Sequence, residues 1–247
     1  VQPTAIIEQV DRKLVVAMTM TLYYAWPKIL LVRFNPDGSL DTSFDADGLV
    51  VTEIASEDVA NAMLQQSDGK IVIAGYTATD RDNKRFLLAR YNTDGSLDTS
   101  FDNDGYVVTQ FTADNYGYGV AVSVLLLEDG RLVAAGDAGG GRVAVARYLP
   151  SGSLDASFAE DGMLLVQAKA APFFKDASND RAYAMTRQVD GKLVVGGSTK
   201  IYDQATSTFS IVRPAIFRIN PDGTLDEAFG TGGIRLDSVS NAEITDV

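Results

Sequence analysis

The segment Asn35–Gly48 has the sequence NPDGSLDTSFDADG, and it decides the fold because the chain repeats it. It returns as NTDGSLDTSFDNDG from Asn92, as LPSGSLDASFAEDG from Leu149 and as NPDGTLDEAFGTGG from Asn220. The steps between the four copies are 57, 57 and 71 residues. Self-similarity at such a period is the signature of a repeat architecture, in which each copy forms one supersecondary unit.

A second recurring motif surrounds a short turn that is Asp-Gly in three of its four copies. The copies are VDRKLVV from Val10, SDGKIVI from Ser67, EDGRLVA from Glu128 and VDGKLVV from Val189. Asp-Gly between two apolar runs predicts a tight hairpin. Each repeat then has four predicted strands, which in the second copy are a (Ala60–Gln66), b (Lys70–Gly75), c (Phe86–Asn92) and d (Tyr106–Phe111). No segment has a sustained helical period, so the sequence predicts an all-β fold.

Many of these strands are apolar on both faces, as in IVIAG from Ile71 and FLLARY from Phe86. An isolated sheet would leave one such face in water, whereas sheets stacked radially around an axis cover both. The sequence therefore predicts a β-propeller of four-stranded antiparallel blades with strand a innermost. Its four repeats of about 57–71 residues span approximately 1–57, 58–118, 119–179 and 180–239.

The two ends of the chain raise the question of how the ring closes. Residues 1–8 already supply a strand a for the first repeat, and NAEITDV at 241–247 resembles the start of a further one. Unpaired strand edges are rarely left exposed. We therefore expect a larger propeller completed by further repeats, or a homo-oligomer in which the last strand pairs with another copy. A closed four-bladed monomer is the alternative.

Each repeat places an arginine in strand c and an aspartate eight residues later. The pairs are Arg33–Asp41, Arg90–Asp98, Arg147–Asp155 and Arg218–Asp226. An arginine inside an apolar strand needs a carboxylate, because an unpaired buried charge is very unfavourable. We predict a bidentate pair in each blade. A phenylalanine follows three residues after each aspartate, at positions 44, 101, 158 and 229, and we assign it to the core.

The composition excludes several classes of function. The formal net charge is −12, which disfavours nucleic acid as a partner because phosphate binding needs clustered Lys and Arg. The chain has no cysteine and no histidine, which removes thiolate catalysis and every Ser-His-Asp arrangement. No stretch approaches the roughly 20 apolar residues of a membrane span.

Two acidic turns are candidates for calcium: Asp45-Ala46-Asp47-Gly48 and Asp102-Asn103-Asp104-Gly105. Alternating aspartates and a glycine suit that ion. A complete calcium loop, however, also has a late acidic residue, and none follows at that spacing. The alternative is that Asp45, Asp47, Asp102 and Asp104 form Asx turns with their own backbone. No other cofactor is expected.

Loop lengths separate the two ends of the propeller. From each strand-c arginine to the glycine that closes the c–d turn is always 15 residues, and the a–b turn is always short. The b–c and d–a segments vary, and antiparallel pairing places both at the other end. We call that end the variable face, because binding residues are usually carried on variable loops. Its aromatic residues are the candidate binding residues: Tyr23, Tyr24, Trp26, Tyr116, Tyr118, Phe173, Phe174 and Tyr202. The alternative is that they only cover the core.

The signature Q-x-D-G-K-I-V-x-A-G … A-R-Y-x-x-D-G-S-L-D-x-S-F-x-x-D-G is intact at Gln66–Gly105. It resembles the delta-60 repeats of bacterial surface and secreted proteins, and the resemblance covers all four units. The units depart from it at Arg12, at Ser151 and at Thr231–Gly232. The resemblance implies a tandem-repeat propeller that is extracytoplasmic, secreted or on the cell surface of a bacterium. It implies no activity.

Three functions remain open at this stage. The first is a non-catalytic surface or secreted module that binds a carbohydrate or a protein through the variable face. The second is a structural spacer or assembly subunit. The third is a glycoside hydrolase or lyase that relies on carboxylates, although no catalytic residue stands out. The acidic residues available for it on the variable face are Glu53, Glu57, Asp58, Asp80, Asp82, Asp114, Asp176, Asp180 and Asp203.

Overall fold

A computed structural model describes residues 1–21, 25–80, 83–111, 118–168, 178–203 and 208–237. For 178, 179, 201–203 and 208–211 it describes the backbone only. Strands and turns make up these ranges, and none of the described residues is helical. Accordingly, the described part of the chain holds no helix that could cross a membrane.

The strands form four antiparallel sheets, each made of four strands that are consecutive in the chain. Blade 1 contains β1 (Gln2–Glu8), β2 (Leu14–Met20), β3 (Lys28–Phe34) and β4 (Leu49–Thr52). Blade 2 contains β5 (Glu57–Gln65), β6 (Ile71–Ala78), β7 (Lys84–Tyr91) and β8 (Tyr106–Thr109). Blade 3 contains β9 (Gly119–Leu126), β10 (Leu132–Ala138), β11 (Arg142–Tyr148) and β12 (Met163–Val166). Blade 4 contains β13 (Ser178–Arg187), β14 (Leu193–Asp203), β15 (Thr208–Ile219) and β16 (Ile234–Leu236). The predicted all-β fold of four-stranded blades is confirmed.

Apolar side chains of neighbouring blades interdigitate to form the core. Every residue of β6 is buried, because one face of the strand packs on blade 1 and the other on blade 3. A third apolar cluster joins blades 3 and 4 around Phe158 and Phe217. The first strands of successive blades, β1, β5, β9 and β13, contact one another in series, which makes strand a the inner edge of each blade. The predicted strand 241–247 lies outside the described residues.

A glycine in strand b sets how strand a joins the blade. A Cβ on Gly75 would lie 1.9 Å from the Val59 carbonyl oxygen, and Gly136 and Gly197 have the same contact with their own strands a. Strand a has a register shift beside each of these glycines. The absence of a side chain allows this close approach, as is usual at a β-bulge. The bulge fixes the direction of the residue that follows the glycine.

In blades 1 to 3 the strand-c arginine makes three separate hydrogen bonds, as blade 2 illustrates. Arg90 Nε donates to Asp98 Oδ2 at 2.6 Å, Nη2 donates to Ser100 Oγ at 3.1 Å, and Nη1 donates to the Pro150 carbonyl of blade 3 at 2.7 Å. The predicted pairing with aspartate is therefore correct, but the predicted bidentate geometry is wrong. The guanidinium gives only one nitrogen to the carboxylate, since its other two satisfy a serine and the next blade.

A second cation reaches each of these aspartates from the a–b turn. Lys70 Nζ lies 2.9 Å from Asp98 Oδ2. The equivalent pairs are Lys13–Asp41, Arg131–Asp155 and Lys192–Asp226. Burial acts to raise the pKa of Asp98, but hydrogen bonds from Ser100 and Lys70 and the charge of Arg90 outweigh it and hold that pKa well below its usual range. These pairs bring the a–b and c–d turns to one end, the turn face, so the variable face is the opposite end.

The phenylalanines assigned to the core stack under the arginines. Phe44, Phe101 and Phe158 are fully buried, as predicted, and the Arg90 guanidinium carbon lies 4.6 Å from the centroid of the Phe101 ring. Phe229 has the same contact with Arg218 at 4.4 Å but is only half-buried. Blade 4 thus keeps the stacking of arginine on phenylalanine, but its phenylalanine is less buried.

Replacing Arg90 by Ala should lower the free energy of unfolding by about 3–5 kcal/mol, because it removes the main partner of a buried carboxylate together with a bond between blades. Arg218→Ala is the matched comparison. Arg218 contacts Asp226 but no serine, since Ala228 stands at that position, and its side chain is 23% exposed against 7% for Arg90. We expect a loss of about 1–2 kcal/mol there. Urea denaturation of dilute protein measures both, and equal losses would contradict this account.

Candidate functional site

Two of the eight predicted aromatic residues have described side chains, and both are exposed. Trp26 precedes β3 in blade 1 and is 42% exposed, and Tyr118 precedes β9 in blade 3 and is 41% exposed. Tyr23, Tyr24, Tyr116, Phe173 and Phe174 lie outside the described residues, and the side chain of Tyr202 is not described. Both described aromatics belong to the variable face, at two different blades.

Tyr118 stands beside two charged groups. Its pKa is raised, first by burial and then by the negative charge of Asp137, while the positive charge of Arg181 opposes the rise. Asp137 belongs to strand b of blade 3, and Arg181 belongs to strand a of blade 4. The Tyr118 carbonyl also accepts a hydrogen bond from the Gly139 amide at 2.8 Å, which ties the start of β9 to the turn after β10. Val120, two residues after Tyr118, pairs with Asp137, so the exposed ring stands at the start of the strand beside this carboxyl.

Asp137 is a carboxylate of this face with a raised pKa. Burial raises its pKa to about 6, against the opposing effects of a hydrogen bond from the Ala182 amide and the charge of Arg181. The Ala182 amide donates to Asp137 Oδ1 at 2.8 Å, so the carboxyl bridges blades 3 and 4. A carboxyl with such a pKa holds a proton in mildly acidic solution and can donate a hydrogen bond there.

Blade 2 adds a hydrogen-bonded triad. Tyr76 Oη donates to Glu57 Oε1 at 2.5 Å, and Lys84 Nζ donates to Tyr76 Oη at 3.0 Å while lying 4.1 Å from the centroid of the Tyr76 ring. The pKa of Tyr76 is raised by burial first, then by Glu57, and also by Tyr118. A Cβ on Gly119 would lie 3.2 Å from the Phe86 side chain, and Phe86 pairs with Tyr76, so the start of β9 adjoins the strands of the triad. We call the two together the inner patch: Glu57, Tyr76, Lys84, Tyr118, Asp137 and Arg181.

The inner patch was only partly visible in the sequence. Glu57 and Tyr118 were candidates, whereas Asp137 was missed: it directly follows the predicted strand b, which ends at the equivalent of Gly75, and the observed β10 extends over it. A comparison between repeats would have found it. The residue after the bulge position of strand b differs in every repeat, while its neighbours in the strand are mostly apolar or small: Thr19, Tyr76, Asp137 and Ser198. A strand position whose residue differs between repeats, while the rest of the strand stays similar, indicates a candidate site residue.

Most of the other acidic candidates have structural partners or are not described. Asp58 is fully buried and accepts hydrogen bonds from Thr77 Oγ1 at 2.6 Å and from the amides of the preceding connection. Asp180 is also buried and accepts the Ala168 amide. Glu53 is exposed and lies 2.9 Å from Lys28 Nζ. Asp80 is exposed, Asp82, Asp114 and Asp176 lie outside the described residues, and the Asp203 side chain is not described.

Two of the four calcium candidates accept hydrogen bonds within their own turns. Asp47 Oδ1 accepts the Leu49 amide at 2.9 Å, and Asp104 Oδ1 accepts the Tyr106 amide at 3.1 Å, which is the Asx-turn alternative. Asp45 and Asp102 begin the same tight turns with positive φ angles of 51° and 52°. Within the described ranges, no three acidic side chains gather into a group that could hold a metal ion.

A cavity on the turn face is a less suitable site. Its volume is about 580 Å³, and it lies between blades 3 and 4 beside Arg131, Arg147 and Arg187. These arginines already pair with the carboxylates of Asp129, Asp155 and Glu128. A ligand would have to compete with those pairs, whereas Trp26 and Tyr118 of the variable face have exposed rings.

The fold and the repeats define a tandem-repeat β-propeller protein. The chain matches the family described as the domain of unknown function DUF5122 β-propeller at residues 9–44, 66–101, 127–158 and 188–229, which together make up more than half of its length. The chain belongs to that family. Among curated proteins, none matches this sequence.

Several solved structures are similar to this chain at low identity. The arabinanase Arb43A of Bacillus subtilis has 15% identity and a TM-score of 0.48, over 96% of this chain and 79% of that one. The α-L-arabinanase of Cellvibrio cellulosa has 14% identity and a TM-score of 0.42, over 95% and 76%. A PL25 ulvan lyase has 13% identity and a TM-score of 0.49, over 86% of this chain and 50% of its own.

The raised pKa of Asp137 should make the stability of the protein depend on pH. Asp137→Asn keeps an acceptor for the Ala182 amide but removes the charge. The folded pKa of about 6 lies above the ordinary 3.8, so the folded protein binds the proton more tightly than the unfolded chain between about pH 4 and pH 6. As the pH rises from about 4 to about 6, the free energy of unfolding of the wild type should therefore fall relative to that of the variant. Above that window, the variant should be more stable by about 1–3 kcal/mol. Thermal melts across the window measure this, and a difference that does not change with pH would contradict it.

Proposed function

We propose that this protein is a non-catalytic binding module that recognises a carbohydrate through its variable face. The observation that carries the proposal is the exposed ring of Tyr118 beside Asp137 and Arg181. A sugar presents an apolar C–H face and a rim of hydroxyl groups, so it suits an aromatic ring flanked by hydrogen-bonding charges. In blade 2, Lys84 is partly exposed and is held by the buried Tyr76 and Glu57, so it adds a positioned cation to this face.

The scaffold supports binding at this place rather than elsewhere. The inner patch is carried on strand ends that the bulges and the buried Asp58 hold in position, and rigid strands place binding groups more reliably than loops do. The longest and most variable connections surround it on the same face. They would set which ligand is accepted, as variable loops do on other rigid scaffolds.

A glycan array followed by titration calorimetry tests the proposal. Tyr118→Ala should weaken the best glycan about tenfold, the usual effect of truncating an aromatic contact residue. Trp26→Ala tests whether the site extends to blade 1, where we also expect weaker binding and an almost unchanged melting temperature. Leu149→Ala is the matched control, because Leu149 is equally exposed but belongs to the turn face. An array with no bound glycan, or a glycan affinity that only Leu149→Ala lowers, would overturn the proposal.

A second candidate is a carboxylate-dependent glycoside hydrolase or lyase, favoured by the pKa of Asp137. A carboxyl that keeps its proton up to about pH 6 can act as a general acid toward a leaving group. Asp137→Asn separates the two functions. An enzyme should lose turnover of a polysaccharide by at least about a hundredfold in this variant, whereas a binding module shows no turnover in either form. Product release from polysaccharides, followed by reducing-end or unsaturated-product assays, measures the difference.

A further inference from the structure

The three boundaries between blades share the same pair of hydrogen bonds. In each, the strand-c arginine donates through Nη1 to a carbonyl of the next blade; the acceptors are Thr93, Pro150 and Pro221. In each, an amide beside the core phenylalanine also donates to the next blade; the pairs are Asp45–Asp94, Asp102–Ser151 and Ala159–Asp222. A boundary between two blades is therefore a defined joint with a donor side and an acceptor side.

A glycine completes the acceptor side of each joint. A Cβ on Gly95 would lie 3.1 Å from the Phe44 ring of the preceding blade, and one on Gly152 would lie 3.2 Å from the Phe101 ring. Gly223 has the same relation to Phe158 at 3.0 Å. The equivalent residue of blade 1 is Gly38, and a Cβ there would meet no described residue within 4 Å. The acceptor side of blade 1 is therefore formed but uncovered.

The apolar face of blade 1 confirms this asymmetry. Ile6 and Leu40 are 63% and 43% exposed. Their equivalents in the later blades are covered and contribute to the inter-blade cores: Met63, Val124, Met185, Leu97, Leu154 and Leu225. Blade 1 thus has the side chains of an inter-blade core without a partner over them.

Blade 4 has the matching donor side. Arg218 donates to Asp226, but among the described residues it reaches no carbonyl of another blade. The Gly230 amide, at the position of Asp45, Asp102 and Ala159, likewise has no acceptor in the described part of the chain. Phe229 is half-buried where its three counterparts are fully buried. The two open sides therefore carry complementary halves of one joint.

We propose that the acceptor side of blade 1 docks onto the donor side of blade 4 of a second copy of this chain. Arg218 then donates to the Pro36 carbonyl, the Gly230 amide donates to the Asp37 carbonyl, and Phe229 packs on Gly38. The contact is heterologous, because two different surfaces meet, so copies join head to tail. Two copies that close on each other supply about eight blades, the upper end of the usual range for propellers.

Sedimentation velocity over a concentration series tests the proposal on the 247-residue chain. We expect the average mass to rise to at least twice that of the monomer. Leu40→Glu places a charge on the uncovered face of blade 1 and should weaken association by at least about a hundredfold. Val189→Glu is the matched control, because Val189 is fully exposed in an a–b turn, and it should associate like the wild type.

A second variant tests the donor side. Arg218→Lys keeps a cation for Asp226 but lacks a planar fork that can reach a second acceptor, so association should weaken about tenfold while the monomer remains folded. Circular dichroism and the monomer melting temperature establish that each variant is folded. A chain that stays monomeric at the highest concentration overturns the proposal, as does association that Leu40→Glu leaves unchanged.

Discussion

The structure depends on an arginine placed inside an apolar strand. A guanidinium in that position is tolerated only when its N–H groups find acceptors, and one carboxylate cannot satisfy them all. Arg90 donates hydrogen bonds to an aspartate and a serine of its own blade and to a backbone carbonyl of the next one. The same residue therefore stabilises a blade and joins it to its neighbour. Each boundary between blades has a donor side and an acceptor side. A series of blades therefore has an acceptor side without a donor at its first blade and a donor side without an acceptor at its last.

Much of this arrangement was predictable from the sequence. The repeat period gave the blades, and the interval of eight between arginine and aspartate gave their pairing. The wrong prediction of a bidentate pair arose because the third acceptor is a backbone carbonyl 60 residues away, which no side-chain pattern reveals. The cation from the a–b turn was available as a signal, since Lys70 and its equivalents recur at a fixed place in every repeat.

The candidate site was less predictable for a physical reason. Each strand position can be compared with the equivalent position of the other repeats. The aromatic residues of the variable face lie in connections whose lengths differ, so they have no equivalent positions to compare. Asp137 lies in the scaffold, and its position can be compared with Tyr76 and Ser198 of the neighbouring blades. At this position the strand packs in the same way in each blade, and only the polar side chain differs. The site is thus a scaffold position that differs between blades, surrounded by loops that differ between repeats.

Amide hydrogen exchange provides the most direct test that blades are joined in series with one joint left open. Leu40→Glu is the form to measure, because it prevents a second copy from covering blade 4. The amides of Asp45, Asp102 and Ala159 each donate across a joint, whereas Gly230 has no such acceptor among the described residues. The account predicts slow exchange at the first three positions and fast exchange at Gly230. Exchange at Gly230 as slow as at the other three would show that blades 1 and 4 of one chain are joined and would contradict it.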